Sequence, residues 1–130
     1  MESNPRIEIV ISDRPLAPSR EAPEGCGALA VFSGIVRREE EGRAIRALEY
    51  QAYQPMAERE IERVAREILA EHSCVFVSVH HRVGLVPVGE AAVIVQAASR
   101  HRAAALAFVA TFMDRLKQDV PIWKIKALPA

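Results

Sequence analysis

The sequence predicts an α+β fold: a single domain over residues 1–130, with a mixed or antiparallel sheet and two main helices. Three observations support this. Apolar runs of strand length are interspersed with two long stretches of helical period. Some strands follow one another across short charged or glycine-containing turns, and others are separated by a helix, which argues against a doubly wound sheet. The chain has 130 residues, half of them hydrophobic, enough for one ordinary core. No repeat, low-complexity segment or linker divides it.

The elements follow in order. Arg6–Ser12 alternates polar residues with Ile and Val and is expected to be a strand, followed by a proline- and glycine-rich loop that holds at most one short helical turn. Ala28–Val36 is apolar throughout and is expected to be a strand buried on both faces. RREEEGR reads as a charged, mobile turn, and Ala44–Tyr53 as the strand that returns from it. Between about Pro55 and His72, Ile61, Val64, Ala65, Ile68 and Leu69 fall on one helical face, with Glu62 and Arg66 paired opposite. CVFVSVHHRVG is a strand, VPVGE a turn, and AAVIVQAAS a second buried strand. A helix over about Arg100 to Gln118 and a short strand, Ile122–Leu128, complete the chain.

Composition excludes several function classes. Seventeen basic residues balance seventeen acidic ones, so no global charge attracts nucleic acid or an anionic membrane. Aromatic residues are too few for base stacking. No run approaches the roughly 18 apolar residues of a membrane helix, and the N-terminus lacks a signal-peptide pattern, so a cytoplasmic protein is expected. Cys26 and Cys74 lack metal-ligand spacing and read as reduced thiols. His80 and His81, as strand neighbours, point to opposite faces and cannot chelate one ion, so no metal is expected. No Walker loop, dinucleotide fingerprint or nucleophile elbow occurs.

Local chemistry concentrates in the last third. Ser99 is placed to cap a helix that opens Arg100, His101, Arg102, with cations at its positive pole. A bound phosphate or carboxylate would turn that unfavourable placement into a favourable one. On the same helix Lys117 continues the stripe Leu106, Val109, Ala110, Met113, so its ammonium either snorkels to water or stands at the lip of a pocket. In PIWKIKA, Ile122, Lys124 and Lys126 share one face of a strand, opposite Trp123 and Ile125. Pro121 fixes the connection, so Lys117 and Lys124 can converge across it. Arg37 ends the apolar strand. This pattern points to a small phosphorylated or carboxylated ligand and does not name the reaction.

The ordered pieces FSGIVR (Phe32 to Arg37), LEYQAYQPMA (Leu48 to Ala57), HRVG followed by GE (His81 to Glu90), SRHRAAAL (Ser99 to Leu106) and FMDRLKQDVPIWK (Phe112 to Lys124) do name a family. In combination the chain resembles the large, catalytic subunit of molybdopterin synthase. The resemblance implies an α/β-hammerhead type of fold and a sulfurtransferase of molybdenum cofactor biosynthesis. Cyclic pyranopterin monophosphate would gain two sulfurs to form the dithiolene of molybdopterin. The sulfur would come from the C-terminal Gly-Gly thiocarboxylate of a small ubiquitin-like subunit, with no cofactor. The implied assembly is a homodimer of large subunits within a heterotetramer.

Carried onto this sequence, the resemblance makes Lys117 and Lys124 the catalytic pair. It makes Ile35, Val36, Arg37, His101, Arg102, Ile125 and Lys126 substrate contacts beside them. Three departures accompany it. Family members commonly continue beyond the position of Ala130, carry an acidic residue where Lys126 stands, and have Asn and His where RREEEGR stands. These departures leave an alternative: a non-catalytic anion- or pterin-binding homologue with a regulatory or scaffolding role.

Overall fold

The computed structural model describes residues 4–18 and 21–130. The elements run β1 (Arg6–Ser12), β2 (Ala28–Ile35), β3 (Glu39–Glu40), β4 (Arg43–Ala52), α1 (Gln54–Leu69), β5 (Phe76–Arg82), β6 (Gly84–Pro87), β7 (Ala91–Ser99), α2 (Arg102–Asp119) and β8 (Ile122–Pro129). An α+β architecture with two helices results, as the alternation of patterns predicts.

The larger sheet has the order β1-β5-β7-β2. β1 runs parallel to β5, from Arg6 opposite Phe76 to Ser12 opposite Arg82. The β5–β7 and β7–β2 pairs are antiparallel. Residues of one parity, including Ile7, Ile9, Val77, Val79, Val93 and Val95, face the helices. There they join Ile61, Val64, Ala65, Phe108 and Phe112 in the main core. Phe108 and Phe112 are fully buried and their rings stack at 5.8 Å. Burying a side chain of this size stabilises the fold by about 1.5–3 kcal/mol. The inner strands β5 and β7 are also buried on their other face, through Phe76, Ser78, Ile94, Gln96 and Ala98.

The smaller sheet is built on β4, which pairs with β3, β6 and β8. Its own core holds Val36, Ile45, Leu48, Val86 and Ala92.

Four sequence expectations are corrected here. β2 is an edge strand, not a strand buried on both faces: among the described residues no strand pairs beyond it, and Val31, Phe32 and Ile35 are exposed. The stripe assigned to α2 is rotated. Ala105, Phe108, Phe112 and Leu116 are buried, whereas Leu106 is 57 % exposed and Lys117 lies on an exposed flank. Ser99 is not the N-cap; that position is His101, which makes no side-chain capping bond. The hydroxyl of Ser99 instead accepts from the Ala105 N–H at 3.1 Å and donates to the His101 carbonyl, tying the helix start from inside the core. Finally, Val86 and Pro87, expected in the turn VPVGE, belong to a strand, Gly84–Pro87, that pairs with β4, and the turn itself is confined to Val88 and Gly89.

Candidate active site

A cleft of about 580 Å³ opens where the two sheets and the end of α2 meet. Each of its walls follows from local sequence. β2 enters through Gly34, where a Cβ would stand 2.8 Å from Val93 Cγ1, so only glycine allows this approach to β7. The register slips between Gly34 and Ile35, and such a bulge redirects the strand end. Ile35, Val36 and Arg37 then line the cleft.

The opposite wall is the turn from α2 to β8. α2 stops at Val120, an extended residue just before Pro121. The Pro121 carbonyl accepts from the Tyr53 N–H at 3.1 Å, which ties the turn to the end of β4. β8 then returns along β4 with Lys124 opposite Tyr50. Lys117, in the last turn of α2, and Lys124, on β8, therefore line the same cleft with Met113, Leu116 and Trp123. Trp123 is 51 % exposed and forms wall rather than core.

Three side chains that the sequence did not single out complete the cleft: Glu40, Tyr50 and His81. Glu40 comes from the hairpin expected to be a mobile turn. That segment is an ordered β3–β4 hairpin whose two turn residues, Glu41 (φ 52°) and Gly42 (φ 79°), both have positive φ. This is the geometry of a type I′ turn, which matches strand twist. Nothing in the sequence alone aims Glu40 inward. The strand period that keeps His80 and His81 from chelating one ion does not say what His81 faces. The place of His81 in HRVG beside a buried strand was the available signal.

The electrostatics are asymmetric. Arg37, Lys117 and Lys124 set three cations against one carboxylate, Glu40. Glu40 Oε2 accepts from Lys124 Nζ at 2.8 Å, and this contact raises the Lys124 pKa above the usual lysine value, so the ammonium is charged at neutral pH. Burial pushes the Tyr50 phenol up, so it is a neutral O–H. Burial pushes the His81 imidazole down. Its Nδ1 lies 2.8 Å from the Arg82 carbonyl, which can only accept, so Nδ1 carries the proton and Nε2 the lone pair. The ring meets Tyr50 edge-on at 5.3 Å. The cleft thus combines charged acids, a neutral proton acceptor and an anion-attracting field, the requirements of general acid–base work on an anionic substrate.

Not every expected residue reaches it. His101 and Arg102 stand exposed at the other end of α2, about 22 Å from Lys117 at 1.5 Å per residue. Ile125 and Lys126 are exposed on β8 and do not line the cleft, because Lys126 stands opposite Glu49 further along β4. Arg82 and Glu90, from the HRVG and GE pieces, bond each other at 2.6 Å and brace the β5–β7 corner.

A second groove of about 500 Å³ runs between β1 and α1. Its charged lining, Glu58, Arg59, Glu62 and Arg66, sums to zero and includes the Arg66–Glu62 pair at 2.9 Å, so it offers no such field. Among the described residues no group of three or more His, Cys, Asp or Glu side chains could hold a metal, and no helix is long and apolar enough to cross a membrane.

Comparison with known proteins matches this architecture to one family. The family model described as MoaE protein matches residues 11–119. The molybdopterin synthase catalytic subunit of Homo sapiens is 46 % identical over 99 residues, 76 % of this chain and 53 % of that protein. The Rattus norvegicus protein of the same name is also 46 % identical over 99 residues and covered to 50 %. The chain therefore spans about half the length of these curated relatives. Among solved structures, molybdopterin synthase from Staphylococcus aureus superposes with a TM-score of 0.84 at 34 % identity, covering 95 % of this chain and 90 % of that one. The chain that builds this cleft from the end of α2, β8 and the bulged end of β2 belongs to the MoaE protein family.

Proposed function

We propose that this protein is the catalytic subunit of a molybdopterin synthase, a sulfurtransferase of molybdenum cofactor biosynthesis acting in the cytoplasm. Its substrate is cyclic pyranopterin monophosphate. The sulfur donor is the C-terminal thiocarboxylate of a small ubiquitin-like subunit. The observation that carries this reading is the convergence of Lys117 and Lys124, from a helix end and a facing strand, on one cation-rich cleft.

In this reading the substrate phosphate and the thiocarboxylate both enter a field set by Arg37, Lys117 and Lys124. The cleft has no cysteine among its walls, which suits a reaction whose sulfur is brought by a partner. The Lys124 ammonium, held charged by Glu40, stabilises negative charge or donates a proton as the cyclic phosphate opens. The neutral His81 imidazole is the available acceptor for protons released during sulfur attack and hydrolysis of the spent partner.

His101 and Arg102 can contact the same substrate only from a second copy, given their distance along α2. A homodimer within a heterotetramer meets that requirement, and the exposed apolar edge Val31, Phe32, Ile35 beside the cleft suits a subunit contact. Mixed dimers of Lys117→Ala and Arg102→Ala chains then regain one intact site and part of the activity. Absence of any regain would separate the His101–Arg102 pair from the cleft.

Reconstitution with thiocarboxylated small subunit and cyclic pyranopterin monophosphate is the direct test, with dithiolene product as readout. Product formation is expected. No turnover with a competent partner would leave the non-catalytic, pterin-binding homologue as the better reading.

A further inference from the structure

The cleft attracts anions and already contains one. Glu40 Oε2 sits 2.8 Å from Lys124 Nζ, with the Glu40 side chain 22 % exposed and that of Lys124 51 % exposed. The contact joins groups 84 residues apart in sequence, so chain proximity does not explain it. The hairpin does: Glu39 pairs with Ala44, Glu40 with Arg43, and the Ile45 N–H bonds the Arg38 carbonyl at 2.8 Å. Glu40 is thereby anchored by its backbone, while its side chain reaches the ammonium.

An exposed ion pair contributes little to folding. Its effect on a ligand is direct, because a phosphate or carboxylate seeking Lys124 meets a carboxylate already bonded to it. We propose that Glu40 is an internal competitor for the anion-binding position on Lys124, setting the affinity of the cleft for anionic ligands. The side chain holds the ammonium while the cleft is empty and is displaced when a ligand's anionic group bonds Lys124. Arg37 and Lys117 remain to attract the ligand during that exchange. The inference rests on reading the cleft as an anion site and does not depend on sulfur transfer.

Two anions share the required chemistry, a phosphate and the carboxylate of a Gly-Gly peptide terminus, and two titrations distinguish them. Wild-type protein and Glu40→Gln, each also in a Lys124→Ala background, are titrated separately with inorganic phosphate and with a peptide ending in Gly-Gly, following the backbone amides of the cleft residues by NMR. The amide is isosteric, can still accept from Lys124 and keeps the hairpin. Glu40→Gln is expected to bind at least one probe about two- to fivefold tighter, the scale of an exposed charge pair. A gain with phosphate alone, peptide alone, or both supports the proposal and identifies the anion that docks on Lys124. In a Lys124→Ala background the gain disappears. Unchanged or weaker binding of both probes, or a gain that survives Lys124→Ala, would overturn it. Loss of turnover with these titrations intact would count against the sulfurtransferase reading alone.

Discussion

The two ends of α2 carry cations for different reasons. At the start, His101 and Arg102 stand in water, and the helix is fixed by Ser99 beneath them, a 1 % exposed hydroxyl bonded to the Ala105 N–H. At the end, Lys117 stands on the wall of a cleft opposite Lys124. One end is secured from inside the core and offers its cations outward. The other directs a cation into a concave site lined from several elements. Position on a helix therefore does not assign a role; what faces the side chain does.

The largest expected effect separates the ends through chemistry. Lys117→Ala loses at least about a hundredfold in turnover, the scale of a lost acid–base group, while its melting temperature stays near wild type. Normal turnover would remove Lys117 from the chemistry. Next is the packing between the ends. Phe108→Ala costs about 3–5 kcal/mol of stability in denaturant unfolding, because its ring is fully buried against Phe112. The folded fraction keeps its turnover; a fall in turnover beyond the unfolded fraction would couple the core to the cleft.

Ser99→Ala sharpens the other end. It removes the hydroxyl's bonds to the Ala105 N–H and the His101 carbonyl and costs about 0.5–1.5 kcal/mol. A variant as stable as wild type would mean that another group secures the helix. The smallest effect is the pH dependence from His81. Burial lowers its folded-state pKa below the unfolded value near 6.5, so the unfolded chain binds the extra proton first. Its contribution is full above about pH 6.5 and is lost as pH falls from there through the folded-state pKa. His81→Gln flattens the stability profile in that window, as read by urea unfolding at a series of pH values. An unchanged slope would place the titration elsewhere.

Much of this molecule was legible because its strands and helices have the right periods. β1, β4, β7 and α1 fall close to where alternation and the i, i+3, i+4 stripe put them. The errors have physical causes. Ala28–Val36 is as apolar as an inner strand, but whether a strand lies at an edge depends on non-local pairing. α2 opens RAAALAF and has little contrast between faces, so a one-residue rotation of the stripe was not resolved and Leu106 was put inside. The convergence of Lys117 and Lys124 was legible from the helix stripe, the strand period and the Pro121 connection between them. That of Glu40 was not, because its approach depends on a hairpin whose turn places a non-glycine residue at positive φ. His81 was not legible as a cleft residue because a buried strand histidine looks the same in sequence whether it lines a cleft or packs in a core.

The central claim is that Lys117 and Lys124 act as one unit on one substrate. A double-mutant cycle on dithiolene formation measures this most directly, with Lys117→Ala, Lys124→Ala and the double variant assayed beside wild type. If the two ammoniums serve one cleft, the double variant is little worse than the more damaged single one. Losses that multiply fully, as for independent sites, would contradict it.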